Sequence, residues 1–244
     1  MANNVLLKLF VPLLLLFAGV FSDVTFHFEN ICSKSIWRAS NPSIGDLEPE
    51  LGPNIYEIFY MDDHYSGSIW ARTECTTNES EYFSCETGDC RLGTRECADT
   101  TPNYPVTLLN FNVNQSIVSY EISMIHGQNI FVNIKPIGGT LLDGSGPCPV
   151  VSCNMDFGNV CPPSLIAYNA NGFYVGCKSA CDVFMDDEHC CNGNDCQLDE
   201  YTLKFKEQCP NAHIYPGDNK PPMYQCKGAE SYDITFCPAV GAAA

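Results

Sequence analysis

Positive charge is scarce in this sequence. Its 244 residues include 12 Lys and Arg against 29 Asp and Glu, which gives a formal net charge of -17 at pH 7. Proteins that bind nucleic acid present basic surfaces to the phosphate backbone, and anionic membranes attract clusters of Lys and Arg. The charge balance therefore excludes nucleic acid as a partner and disfavours contact with an anionic membrane.

Several motifs that carry chemistry are also absent. The sequence has no C-x-x-C pair, no G-x-S-x-G elbow, no H-E-x-x-H pair and no phosphate-cradling glycine loop. Thiol redox catalysis, serine hydrolysis on an α/β-hydrolase fold, zinc proteolysis and nucleotide binding each need one of these arrangements. We therefore expect no cofactor and no metal. Asp62, Asp63 and His64 suggest chelation by residue type, but a turn between two strands is the simpler interpretation.

A long apolar run occurs only near the N-terminus. Leu9 to Val20 follow a single positive charge, Lys8, and the small residue Ser22 comes shortly after. This run is short for a membrane span and has the order of a secretory signal peptide. Residues 1–22 are therefore expected to be a signal peptide, with a buried helix as the alternative, and the mature chain is expected to be extracellular.

Cysteine, by contrast, is abundant. All 16 cysteines lie beyond the predicted signal peptide, and an even, high count in an exported chain indicates disulfides rather than thiol chemistry. A zinc site built from His189 and the neighbouring cysteines is the alternative. It requires thiolates, which an oxidising compartment removes.

Apolar and polar residues alternate in several short segments that are separated by Gly, Pro and Asn. Examples are 24–28, 109–113, 118–122, 130–134 and 232–236. This period is typical of strands with one buried face, and it predicts an antiparallel β-sandwich. Two helices are expected, at 179–188 with Ser179 as the N-cap and at 200–208 with Asp199 as the N-cap.

The spacing C-x4-C-x6-C at Cys85, Cys90 and Cys97 belongs to a set of motifs that run through the mature chain. They include IWARTEC, CETGDC, NIFVNIKP, FMDDEHCCNGNDC and YDITFCP. Together they resemble the thaumatin-like family, which includes the plant pathogenesis-related proteins of the osmotin and thaumatin type. The chain resembles a divergent member, since Glu81 stands where the family signature usually begins with glycine.

This resemblance implies a mainly β fold with one thaumatin-like domain at residues 23–237. A thaumatin-like antiparallel β-sandwich core would comprise 23–137 and 227–237, beside a disulfide-rich lobe of loops and helices at about 138–209. A small hairpin or loop lobe would occupy about 210–226, and 238–244 would be a short tail.

The resemblance also implies the disulfide pairing. The expected pairs are Cys32–Cys237, Cys75–Cys85, Cys90–Cys97, Cys148–Cys226, Cys153–Cys209, Cys161–Cys177, Cys181–Cys190 and Cys191–Cys196.

Finally, the resemblance implies a cleft between the sandwich and the disulfide-rich lobe, which in the family carries one Arg, one Glu and three Asp. The flanking motifs place these positions at Ser68, Asn110, Glu121, His126 and Asn219. Asp218 lies beside the last of them.

The acidic pattern of the cleft is thus largely lost, so no residue is assigned as catalytic. Glu121 and Asp218 keep a carboxylate, and His126 could act as an acid or base or be a solvated turn residue. Asn110 cannot deliver a proton as a general acid. The candidates are therefore Glu121, Asp218 and His126.

These observations favour a non-enzymatic, defence-type protein of the plant apoplast that binds a cell-wall glycan, such as a β-glucan, or a protein partner through the cleft. The alternatives are a divergent endo-β-1,3-glucanase that uses Glu121 and Asp218, and an inhibitor of exogenous hydrolases. We expect a monomer with no membrane anchor.

Two further sets of residues bear on binding. Asn78 and Asn114 begin N-glycosylation sequons. Aromatic side chains can stack on sugars, although core packing is the simpler interpretation for the candidates, which are Tyr60, Tyr65, Tyr120, Phe131 and Tyr215.

Overall fold

The computed structural model describes residues 24–45, 49–97, 99–153, 160–191, 197–218 and 223–238. The predicted signal peptide, Asn219, Cys196 and the tail beyond Pro238 lie outside these residues. Strands dominate the described residues, and helices are few and short. The mainly β fold that the sequence predicts is therefore confirmed.

Thirteen strands lie within the described residues. They are β1 (Val24–Asn30), β2 (Ile36–Asn41), β3 (Glu50–Leu51), β4 (Ile55–Met61), β5 (Ser66–Thr77), β6 (Phe83–Thr87), β7 (Leu108–Asn114), β8 (Ile117–Ser123), β9 (Val132–Leu141), β10 (Val151–Cys153), β11 (Ile166–Tyr168), β12 (Tyr174–Cys177) and β13 (Tyr224–Phe236).

The long strand β13 joins two halves of one large sheet. Its first residues, Tyr224–Lys227, pair with β8, and β7, β5, β2 and β3 follow in that order. Its last residues, Ser231–Phe236, pair in parallel with β1, which in turn pairs with β4. β9 pairs along both parts of β13 and also with β10, while β6 pairs with β5. The sheet folds over at β13, so that the two halves face each other.

Aromatic side chains from both halves meet in the core between them. The ring of Phe26 on β1 lies 4.7 Å from that of Phe111 on β7 and 5.6 Å from that of Tyr232 on β13. Tyr120 on β8 also contacts Tyr232, at 5.6 Å. All four side chains are buried, and aromatic burial of this kind dominates core energetics. The alternating pattern in the sequence therefore marks the inner faces of these strands.

Among the described residues, the lobe beside the sandwich contains the hairpin β11–β12 and three helices of which both ends are described. These are α1 (Ala180–Phe184), α2 (Asp187–Cys190) and α3 (Glu200–Gln208). Asp199 caps α3 by accepting hydrogen bonds from two backbone N–H groups, as predicted. None of the helices in the described residues is long and apolar enough to cross a membrane.

The prediction of one helix at 179–188 is wrong. Met185 adopts a left-handed conformation with φ 56° and ends α1, and Asp186 then caps the separate helix α2. A left-handed residue at this position is a common way to end a helix. The single run of polar and apolar residues gave no sign of this break.

Seven disulfides link the described cysteines. They are Cys32–Cys237, Cys75–Cys85, Cys90–Cys97, Cys148–Cys226, Cys153–Cys209, Cys161–Cys177 and Cys181–Cys190. Each joins the two cysteines that the family resemblance pairs. Cys191 is also disulfide-bonded, and its expected partner, Cys196, lies outside the described residues.

Two fully buried arginines were not anticipated from the sequence. Arg38 on β2 forms an ion pair with Glu57 on β4 and lies over the ring of Phe28. Arg72 on β5 donates hydrogen bonds to backbone carbonyls, including that of Arg95, and burial lowers its pKa to about 10. A buried charge needs close partners. The partners of these arginines lie on the edge strand β4 and on the loop at Arg95, so the contacts hold both segments against the sandwich.

We expect the disulfide that joins the chain ends to contribute more stability than a short-range one. Cys32–Cys237 spans 205 residues and Cys75–Cys85 spans 10. The chain-entropy model gives about 5 kcal/mol for the first and about 3 kcal/mol for the second. Urea denaturation of the two double Cys→Ser variants measures the difference, and equal losses of unfolding free energy would contradict the expectation.

Candidate functional site

Polar side chains form two rows across neighbouring strands on one face of the sheet. Directly paired residues share a face, and rows two residues apart along each strand lie side by side. The first row is Asn41, Ser68, Asn110 and Glu121, on β2, β5, β7 and β8. The second row is Ser66, Asn112, Ser119 and Gln225, on β5, β7, β8 and β13. We call these eight residues the polar strip. Each row extends about 14 Å across four strands, and the two rows together extend about 19 Å across five.

Three of the expected cleft positions lie next to one another in this strip. Ser68 Oγ donates a hydrogen bond to Asn110 Oδ1 at 2.6 Å, and Asn110 Nδ2 donates to Glu121 Oε1 at 2.7 Å. The second row contains a weaker contact, in which Asn112 Nδ2 donates to Ser66 Oγ at 3.3 Å. Asn110 therefore acts as a hydrogen-bond relay between a hydroxyl and a carboxylate.

The other carboxylate oxygen of Glu121 contacts a histidine that the sequence did not single out. His213 Nδ1 lies 2.9 Å from Glu121 Oε2, and both side chains are 13% exposed. The backbone of His213 extends the edge of β8, because its N–H donates to Ile122 O and its carbonyl accepts from Met124 N–H. This places the imidazole beside the end of the strip.

These contacts hold Glu121 in its ionised form. Partial burial raises the pKa of Glu121, but the hydrogen bonds from His213 and Asn110 outweigh it, so that the pKa lies below its ordinary value. A carboxylate with a lowered pKa is a poor proton donor at neutral pH.

Asp218 has a different environment. Its side chain is 1% exposed, and Oδ2 accepts hydrogen bonds from Lys206 Nζ at 2.7 Å and from the backbone N–H of Ile214 at 2.9 Å. The carboxylate thus holds the 213–218 loop, which contains His213, against helix α3. Asn219, the neighbouring cleft position, lies outside the described residues.

His126 connects the sandwich to the lobe. Its ring stacks on Tyr104, with centroids 3.9 Å apart, and its Nδ1 lies 3.2 Å from Asp182 Oδ2 in α1. The cavity at this junction, lined by Met124 and Phe205 among others, has a volume of about 10 Å³, which is the space of about one water molecule. The sandwich and the lobe are therefore closely packed here.

A larger groove of about 650 Å³ lies beside the turn between β4 and β5. It is lined by residues of that turn, by the 42–45 loop, by Phe59, Tyr60 and Met61 at the end of β4, and by Ser66 of the polar strip. Asp62, Asp63 and His64 lie in this turn with their potential metal-ligating atoms within 4.8 Å of one another. Asp62 Oδ1 accepts a hydrogen bond from the His64 backbone N–H at 2.8 Å, which is the contact of an Asx turn.

The aromatic candidates for sugar stacking differ in exposure. Tyr65 and Tyr120 are buried, and Phe131 and Tyr215 are partly buried against the core. Tyr60 is 65% exposed. Among these five residues, Tyr60 therefore offers the most accessible ring face.

The sequence alone did not indicate His213, Asp182 or Tyr104. His213 is 92 positions from Glu121 in the chain, and no local motif connects the two. Only the docking of the 213–218 loop against β8 brings them together. Asn78 and Asn114, the two sequon residues, are both exposed.

Comparison with known proteins gives consistent matches over most of the chain. A model of the thaumatin family matches residues 30–238. The sequence is 34% identical to thaumatin-like protein 1 of Castanea sativa over 226 residues, covering 86% of this chain and 89% of that protein. It is 32% identical over 254 residues to a Prunus avium protein named glucan endo-1,3-beta-glucosidase, covering 98% and 100%. A solved thaumatin-like xylanase inhibitor aligns with a TM-score of 0.48 at 18% identity, covering 87% of this chain and 99% of that one.

We expect Glu121 to stabilise the fold at neutral pH and to lose this effect in acid. Its pKa is lowered from 4.5 on folding, so the stabilisation is fully present above that pH and disappears as the pH falls through the folded-state pKa. We expect the wild type to have a higher free energy of unfolding than Glu121→Gln at neutral pH. Urea denaturation should show this difference becoming smaller as the pH falls to about 3. Glu207→Gln, at an exposed position of α3, is the matched control, and a gap for Glu121→Gln that does not depend on pH would contradict the prediction.

Proposed function

The chain belongs to the thaumatin family, and from this premise we propose that it is a secreted, non-enzymatic defence-type protein that binds a neutral cell-wall glycan at the polar strip. The observation that carries the proposal is the composition of the strip. Seven of its eight side chains are uncharged amides or hydroxyls, and the eighth, Glu121, already has partners for both oxygens.

Neutral sugars present hydroxyl groups that both donate and accept hydrogen bonds. Asn, Gln and Ser side chains match this requirement, because each of them can also do both. Asn112, Ser66 and Gln225 are exposed, so their polar atoms are accessible to a ligand. Rows of such side chains across neighbouring strands are suited to an extended glycan chain lying across the strands.

The state of the two carboxylates supports a binding role over hydrolysis. Glycoside hydrolysis needs one carboxyl group with a raised pKa as the acid and a second as nucleophile or base. Glu121 has a lowered pKa, and Asp218 is enclosed by Lys206 and Ile214. Neither carboxyl group is suited to donate a proton to a glycosidic oxygen.

A divergent endo-β-1,3-glucanase is the second candidate. The Prunus avium relative with the name glucan endo-1,3-beta-glucosidase favours it, at 32% identity over nearly the full chain. In this case Glu121 would act as the nucleophile or base, and Asp218 would have to leave its ion pair with Lys206.

Export is part of the proposal. The seven disulfides between described cysteines suit an oxidising compartment, and residues 1–22 have the order of a signal peptide. The exposed Asn78 and Asn114 would be available for glycosylation on that route.

Binding of laminarin oligosaccharides tests the proposal by isothermal titration calorimetry. The double variant Asn112→Ala and Ser119→Ala removes side chains from the centre of the strip, and we expect affinity to fall about tenfold through lost hydrogen bonds. Asn171→Ala with Ser164→Ala removes the same side chains from exposed positions in the lobe and should leave affinity unchanged. Equal affinity of all three proteins, or no binding by any, would contradict the proposal.

Release of reducing ends separates the two candidate functions. We expect the wild-type protein to release none from laminarin at any pH at which it is folded. Hydrolysis that is abolished in Glu121→Gln and retained in Glu207→Gln would instead establish the glucanase.

A further inference from the structure

Three large side chains form an exposed stripe on the outer face of β4. Tyr56, Ile58 and Tyr60 are 52%, 50% and 65% exposed. They alternate with Glu57 and Phe59, which point towards the sandwich and are less exposed. The period of two places all three on one face, over about 13 Å. We call these three residues the tyrosine stripe. None of them belongs to the polar strip.

The position of the stripe makes its exposure unusual. β4 pairs with β1 on one side, and among the described residues no strand pairs with it on the other. Proteins commonly protect such edges with charged side chains, because exposed apolar edge strands recruit other chains. Here the outward positions are two tyrosines and an isoleucine. Exposed apolar groups of this kind mark interaction sites.

Carboxylates line the inner side of the stripe. The pairing of β1 with β4 sets Glu29 opposite Tyr56 and His27 opposite Ile58, and the pairing of β1 with β13 sets Asp233 beside His27. The ring of Tyr56 lies 5.3 Å from that of His27, whose Nδ1 lies 2.7 Å from Asp233 Oδ1.

The electrostatics of Tyr56 agree with this arrangement. Partial burial raises the pKa of its hydroxyl, and the negative charges of Asp233 and Glu29 raise it further. The tyrosine ring is therefore within the field of two carboxylates. An aromatic face beside carboxylates is the combination that recognises the guanidinium or ammonium group of a basic side chain.

We propose that the tyrosine stripe and its flanking carboxylates form a docking surface for an extended, basic peptide segment of a partner protein. The segment would lie along β4 as an added strand, which is a known way for a sheet edge to bind peptides. Alternate side chains of the segment would face the stripe, and arginines among them would stack on the tyrosines and reach across β4 to Glu29, while Asp233 would add to the negative field. This surface goes beyond the proposed glycan-binding function and uses different residues.

Charge complementarity favours a basic peptide over a second copy of this chain or a neutral glycan. The chain has a formal net charge of -17, which attracts a basic segment and accelerates its association. The same charge repels a second copy of this chain. A neutral glycan could donate hydrogen bonds to the carboxylates but would gain no attraction between opposite charges.

A short peptide of alternating arginine and valine is the probe, with binding measured by fluorescence anisotropy at physiological ionic strength. We expect the double variant Tyr56→Ser and Ile58→Ser to bind it about tenfold more weakly than the wild type, through lost stacking and apolar contact. The matched control is Tyr168→Ser with Phe173→Ser, which removes two rings that are 60% and 69% exposed on the β11–β12 hairpin and should not change binding. Thermal unfolding verifies that each variant is folded.

A second pair of variants separates local from overall charge. Glu29→Gln should weaken peptide binding, whereas Glu207→Gln, which removes the same charge from α3, should not. Equal affinities across all variants would show that the peptide responds only to net charge, and this would overturn the proposal.

Two other outcomes would also overturn it. One is loss of laminarin binding, with peptide binding retained, in the stripe variant. The other is a dimer of the wild type that dissociates in the stripe variant, as measured by sedimentation. Failure of the glycan-binding proposal is recognised separately, by the variants at Asn112 and Ser119.

Discussion

The whole sandwich depends on the pairing of β13 with strands from both of its halves. β13 pairs with β8 through its first residues and in parallel with β1 through its last, and Cys32–Cys237 links the ends of β1 and β13. Parallel neighbours require a long connection, so nearly the entire domain lies between β1 and β13. Their pairing therefore encloses one core, in which Phe26, Phe111 and Tyr232 meet.

The same scaffold determines the chemistry of the polar strip. Regular pairing of β2, β5, β7, β8 and β13 places two rows of small polar side chains side by side. The loop that carries His213 is held by the ion pair between Asp218 and Lys206. Of the two candidate carboxylates, Glu121 is thus held ionised by hydrogen bonds and Asp218 stabilises a loop. The strands keep these side chains in place, but both carboxylates are bonded to other protein groups and are not available for proton transfer.

The two proposed surfaces differ in the physical basis of recognition. The polar strip is nearly uncharged, so that hydrogen bonds would decide which ligand it accepts. The tyrosine stripe combines exposed rings with carboxylates, so that charge and stacking would decide. The strip ends at the 213–218 loop, whereas the stripe lies on an open edge strand. The chain would therefore bind a glycan and a protein through different residues, although Ser66 of the strip and Tyr60 of the stripe line the same groove.

The sequence by itself predicted the alternating segments of β1, β7, β8, β9 and β13, the helix at Glu200–Gln208 and the family, because alternation, capping and cysteine spacing are local signals. It also located Ser68, Asn110 and Glu121. It did not indicate the short strands β3, β6, β10, β11 and β12. It missed the break at Met185, since a single left-handed residue leaves little trace in a polar helix. Only the tertiary structure decided that His213 contacts Glu121, that Asp182 contacts His126 and that Asp218 is enclosed. These contacts join residues far apart in the chain, and the docking of loops on the sheet, rather than any local pattern, creates them.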